Sequence, residues 1–182
     1  MSKFLDIDGL EYYTKQFKPG LVRLIDDGGK KNIVGGLNTI KQGITITTED
    51  CVVSFSGSFN SANSLSFTKG FYPPITGNYK MVYENNVSLN TGNTIPFLWD
   101  NTTSSVISSF RTFGTQTLVT LSLIATHSYV LALSGQSLNN TISGTFKFML
   151  CTEADYSISQ SYVPYRNGLA TKEEITDVFN SY

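Results

Sequence analysis

Apolar and polar residues alternate with a period of two through most of the middle of this chain. Gly43-Ile44-Thr45-Ile46-Thr47 alternates and then meets a turn at Thr48-Glu49-Asp50. The run 51–59 alternates from Val53 onward, with Val53, Phe55, Gly57 and Phe59 on one face. Ser64-Leu65-Ser66-Phe67 repeats the pattern, and 77–83 places Tyr79, Met81 and Tyr83 together. Further runs follow at 95–99, 105–113, 118–124, 129–133 and 141–150. In the last of these Ile142, Phe146, Phe148 and Leu150 share one parity. Short runs rich in Thr, Val, Ile, Phe and Tyr, separated by Gly, Asn and Ser, predict strands in an antiparallel β-sandwich. A period of two gives each sheet one buried and one wet face.

The pattern changes at both ends. Asp8 is placed to cap a helix whose third position is Glu11, and Leu10, Tyr13 and Phe17 follow at helical spacing. Pro19-Gly20 ends that pattern. The next apolar run, 21–25, fits either a helical turn or a strand. Near the other end, Thr171-Lys172-Glu173-Glu174 reads as a capping box, with Ile175, Val178 and Phe179 as an apolar stripe behind it. The expected organisation is a helical anchor or oligomerisation segment over 1–29, a β-sandwich over 30–165 and a short helix over 166–182. Short helices need a surface to cover their apolar face, either the sandwich or another chain. Phe4, Leu5, Leu10, Tyr13 and Phe17 are the expected anchor residues.

Charge follows the same division. The chain has 182 residues, a size for one main domain, and 27 charged side chains, only 15% of the whole. Twelve of these lie in 1–43 and only seven in 44–146. Ser (21), Thr (21) and Asn (14) take their place, as wet sheet faces allow. A formal net charge of −1 gives no electrostatic footprint for nucleic acid. No apolar run is long enough to span a membrane as a helix, and the start of the chain does not read as a signal peptide. Synthesis in a cytoplasm without Sec export is expected. Cys51 and Cys151 do not make a disulfide framework and read as two buried thiols, with a single bridge as the other reading.

Chemistry for an enzyme is sparse. His127 is the one histidine, no G-x-S-x-G turn accompanies it, and no His/Cys spacing suits zinc. Asp6-Ile7-Asp8-Gly9 lacks the remaining ligands of a calcium loop, and Gly28-Gly29-Lys30-Lys31 lacks P-loop spacing. No cofactor or metal is expected. A glycosidase needs two carboxylates a few ångströms apart, and the middle of the chain offers only Glu49, Asp50, Glu84 and Asp100. A binding surface fits better. Sugar sites combine an aromatic face with amides and carboxylates. Trp99-Asp100-Asn101 supplies all three, and Tyr79, Tyr83 and Tyr129 are further candidates, each with core packing as the alternative.

Taken in order, Lys31-Asn32-Ile33-Val34, the 43–47 run, Val53-Ser54-Phe55-Ser56-Gly57-Ser58, Gly77-Asn78-Tyr79, Phe146-Lys147-Phe148-Met149-Leu150 and Tyr162-Val163-Pro164-Tyr165 resemble a module of bacteriophage and prophage tail, fibre and baseplate proteins. Phe148 stands where that module usually has proline, and Val163 where it often has an acidic residue. The opening Phe4-Leu5-Asp6 with Gly9-Leu10 also resembles the start of phage structural proteins. The resemblance implies a jelly-roll-like sandwich similar to carbohydrate-binding modules. It implies a virion location and a homo-oligomer, with a trimer favoured. The expected partners are copies of itself, other virion proteins and a host surface glycan. A purely structural fibre or decoration subunit is the alternative, and a polysaccharide-active enzyme the outside one.

Overall fold

The computed structural model describes residues 32–134 and 137–158. Over these the chain is mostly β, in two antiparallel sheets. The larger runs β1 (Thr39–Lys41), β2 (Ile44–Glu49), β3 (Val52–Ser58), β12 (Thr141–Thr152), β5 (Gly77–Asn85) and β10 (Thr117–Leu123). Two short strands, β6 (Ser88–Leu89) and β7 (Gly92–Asn93), extend it beside β12. The smaller sheet runs β4 (Leu65–Ser66), β11 (Tyr129–Leu133), β8 (Pro96–Asp100) and β9 (Ser105–Ser109). A short helix, α1 (Glu153–Ile158), follows β12 directly.

β12 organises the larger sheet. Its first half pairs with β3, Phe146 opposite Val53, and its second half pairs with β5, Phe148 opposite Tyr83. Near its start it also pairs with β6, Ile142 opposite Leu89. Where the chain steps from β5 to β6, the Asn86 carbonyl presses against Gly144, whose φ is +112°. A side chain there would meet that carbonyl, so glycine is required by both space and backbone angle.

The expected parity holds where the runs are long. Ile44, Ile46, Val53, Phe55, Tyr79, Met81, Tyr83, Ile142, Phe146, Phe148 and Leu150 all enter one core. The smaller sheet contributes Leu65, Leu98, Tyr129, Leu131 and Leu133 to the same core. Phe67, just past β4, joins the two: its ring lies 5.3 Å from Phe55, 5.6 Å from Phe146 and 6.5 Å from Phe148, each at a steep angle. Edge-to-face rings of this kind gain about 0.5–1.5 kcal/mol per pair beyond their burial. Thr45 and Thr47 take the exposed positions of β2, as the polar parity requires.

Several features differ from the sequence reading. The run expected over 105–113 is a strand only to Ser109, because Phe110 leaves the sheet to bury its ring against Tyr83 at 4.9 Å. The far half of β12 is buried on both faces. Met149 and Cys151 lie on its outer side with Val82, and Tyr156 of α1 packs on them. The helices expected over 1–29 and 166–182, with Phe4, Leu5, Leu10, Tyr13 and Phe17, lie outside the described residues. Cys51 and Cys151 are both buried, and no disulfide joins them. Burial, reinforced by Asp50, pushes the Cys51 thiol up to about 11, so it is not a thiolate at neutral pH.

Candidate functional site

A groove of about 740 Å³ lies on the outer face of the smaller sheet. Strand alternation builds it. Pro96, Leu98 and Asp100 point inward from β8, which turns Phe97 and Trp99 outward. One cross-strand row reads Val106, Trp99, Val130, and the next reads Ser109, Phe97, Ala132, Ser66. The register shift in β9 opposite Leu98 and Trp99 brings both rows into line. Small side chains flank Phe97 in its row, so the aromatic stands beside a depression. Phe97 and Trp99 are half-buried and meet edge to face, 6.4 Å apart at 79°. Ser64, Asn101, Arg111 and Ser134 supply polar groups along the rim. An apolar floor with a few convergent polar groups is the usual make-up of a ligand site.

Of the expected binding residues, Trp99 and Asn101 line this groove. Asp100 does not: it is 2% exposed and faces the other side of β8. Its Oδ1 accepts hydrogen bonds from the Thr102 and Thr103 amides at 2.8 and 3.2 Å, which shapes the turn after β8. Its Oδ2 lies 2.7 Å from His127 Nδ1. Burial alone would raise the Asp100 pKa. The hydrogen bonds from His127, Thr102 and Thr103 outweigh it and hold the carboxyl at about 2. An ionised carboxylate only accepts, so Nδ1 of His127 carries the hydrogen of that bond.

The three tyrosines are core residues. Tyr79 donates from its hydroxyl to the Ile75 carbonyl at 2.8 Å, and burial pushes its phenol up. Tyr83 packs between Phe110 and Phe146. Tyr129 stacks on His127 and accepts a hydrogen bond from the Ile124 amide at 3.0 Å. Each is 2% exposed or less, so none is open to a ligand. The expectation of these tyrosines as ligand platforms is corrected by the same parity that buries them.

Phe97, Val106 and Arg111 were missed by sequence reasoning. Phe97 was within reach, since positions 97 and 99 of one strand must share a face. Val106 and Arg111 arrive through pairing and loop path, which no local pattern shows. Glu49, Asp50, Glu84 and Asp100 do not line the groove. Among the described residues no group of His, Cys, Asp and Glu is placed to hold a metal ion, and no helix is long and apolar enough to cross a membrane. The sequence matches no protein-family model and no curated protein.

Proposed function

We propose that this chain is a non-enzymatic adhesion subunit of a bacteriophage particle, whose jelly-roll-like β-sandwich engages host surface glycans through the groove around Trp99. The observation that carries this reading is the outward pair Phe97 and Trp99 set among serines, Asn101 and Arg111. Indole and phenyl faces stack on the apolar faces of sugar rings, and hydroxyl, amide and guanidinium groups bond their hydroxyls. The ordered resemblance over 30–165 supports the virion setting. Residues 1–29 would tether the subunit to other virion proteins or to its own copies. In a trimer, three weak sites would act together and gain avidity.

The test is binding of the purified protein to a panel of bacterial surface polysaccharides. Saturable binding that Trp99→Ala removes is the expected result. No binding by the protein in its native oligomeric state overturns the adhesion reading.

A structural fibre or decoration subunit is the second reading. Ile40 on β1 and Leu118 on β10, the strands that end the main order of the larger sheet among the described residues, are 74% and 46% exposed. Apolar side chains on open edges suit contacts between copies. This reading predicts that deleting residues 1–28 abolishes oligomerisation and particle incorporation. Retention of both in the deleted protein contradicts it.

A further inference from the structure

Among the described residues, the charged groups at the groove have one sign. Arg111 is exposed on its rim, and no carboxylate among the described residues forms an ion pair with it. A second cation stands behind the wall. Lys41 Nζ donates a hydrogen bond to Ser66 Oγ, and Ser66 lines the groove. An ammonium has only hydrogens to give, so the serine oxygen must accept there. Its own O–H is then left to donate elsewhere, polarised by the cation it touches.

The described residues carry six carboxylates, and their positions leave the groove clear. Glu49 and Asp50 lie at the β2–β3 turn, and Glu84 on β5 accepts from Asn86. Glu153 pairs with Lys80, and Asp155 bonds Thr152, both at the outer side of the larger sheet. Asp100, next in sequence to Trp99, is turned inward and committed to His127 and two turn amides. Among the described residues the groove is thus lined by one cation, Arg111, with Lys41 bonded to a lining serine, and by no carboxylate.

We propose that the groove selects an anionic polysaccharide, a sugar chain bearing carboxylate or phosphodiester groups, with Arg111 and the Lys41–Ser66 pair as the anion contacts and Trp99 and Phe97 as the ring platform. This rests on the glycan-binding reading above and names its ligand class. A guanidinium presents two parallel N–H donors that match either a carboxylate or a phosphate. Bonds of an anion to charged donors are roughly twice as strong as neutral ones, so a neutral sugar chain gives up that gain.

The experiment compares matched polymers on the full-length protein. Polygalacturonate is set against its fully methyl-esterified form, which keeps the sugar and removes the charge. A teichoic acid serves as the phosphodiester probe and dextran as a second neutral one. The proteins are wild type, Trp99→Ala, Arg111→Ala, Arg111→Lys and Lys147→Ala, the last on the outer face of the larger sheet. The expected result is binding to the polyuronate, the teichoic acid or both, weakened by added salt. Which of the two binds more tightly identifies the anion. Arg111→Ala should lose about tenfold or more, with partial recovery in Arg111→Lys and no change in Lys147→Ala. Binding to neutral and anionic polymers alike that needs Trp99 but not Arg111 overturns this inference and leaves glycan binding standing. Loss in Lys147→Ala equal to that in Arg111→Ala overturns it as well, because the attraction is then diffuse. No Trp99-dependent binding to any polymer, charged or neutral, overturns both.

Discussion

Asp100 and His127 meet at 2.7 Å through Oδ2 and Nδ1, across 27 residues of sequence. The contact ties the turn after β8 to the loop before β11, directly behind Trp99 and Asn101. The carboxylate is favoured in the folded chain, with a pKa of about 2 against an ordinary 3.8. A group shifted down in this way stabilises the fold above its ordinary pKa. That contribution is lost as pH falls through the folded value. Asp100→Asn should therefore cost about 2 kcal/mol at neutral pH, and the gap from wild type should shrink between about pH 4 and about pH 2. Urea unfolding of both proteins across that range checks it. A gap that stays constant into acid contradicts the assignment.

Gly144 and Gly77 sit in paired strands, yet substitution should act on them differently. Gly144 has φ +112° and faces the Asn86 carbonyl, while nothing lies within 4 Å of a side chain built on Gly77. Gly144→Ala should destabilise by about 2 kcal/mol or more, and Gly77→Ala by less than about 0.5 kcal/mol in either direction. Thermal unfolding of the two variants separates them. Equal effects would mean that the step from β5 to β6 does not depend on the close approach.

Asn32 substitutes for a missing strand. β3 covers β12 only as far as Lys147, and the edge beyond it is met by residues 32–34. The Asn32 side chain accepts from the Leu150 amide at 3.1 Å and the Val34 amide at 3.3 Å, and donates to the Phe148 carbonyl at 3.5 Å. Asn32→Ala should cost about 2–4 kcal/mol, since it leaves buried amides without their acceptor. Hydrogen exchange should show faster exchange at Leu150 than at Met81 in the centre of β5. Unchanged protection at Leu150 would assign the edge to other contacts.

Phe67 and Trp99 separate stability from binding. Phe67 is fully buried where the two sheets meet, so Phe67→Ala should cost about 3–5 kcal/mol. Trp99 faces outward, and Trp99→Ala should cost well under half as much while removing ligand binding. Chemical denaturation of the two variants side by side checks the order. The reverse order would place Trp99 among the core residues.

The strands legible in the sequence are those long enough to show their period. β2, β3, β5, β10 and β12 fall within two residues of the expected runs, because four or more alternating positions fix a parity, and β11 does so as a short, wholly apolar run. β1, β6 and β7 have only two or three residues each and hold their places by pairing alone. The helix α1 escaped for the same reason: six residues give no repeat, and only the contact of Tyr156 with Met149 and Cys151 explains where it lies. The candidate site was half legible. Trp99 and Asn101 stood out as an aromatic beside an amide. Asp100 between them has the opposite parity, and that alone predicts its inward direction. The remaining walls come from β4, β9 and β11, whose arrival beside β8 depends on topology.

The most direct test of the groove uses Trp99 itself, the single tryptophan of the chain. Its fluorescence reports on that face of the smaller sheet and nowhere else. Titration with a bacterial surface polysaccharide that the protein binds should shift and saturate the emission at the same concentrations that saturate binding. Saturable binding with the emission unmoved would place the ligand elsewhere and contradict the groove as the site.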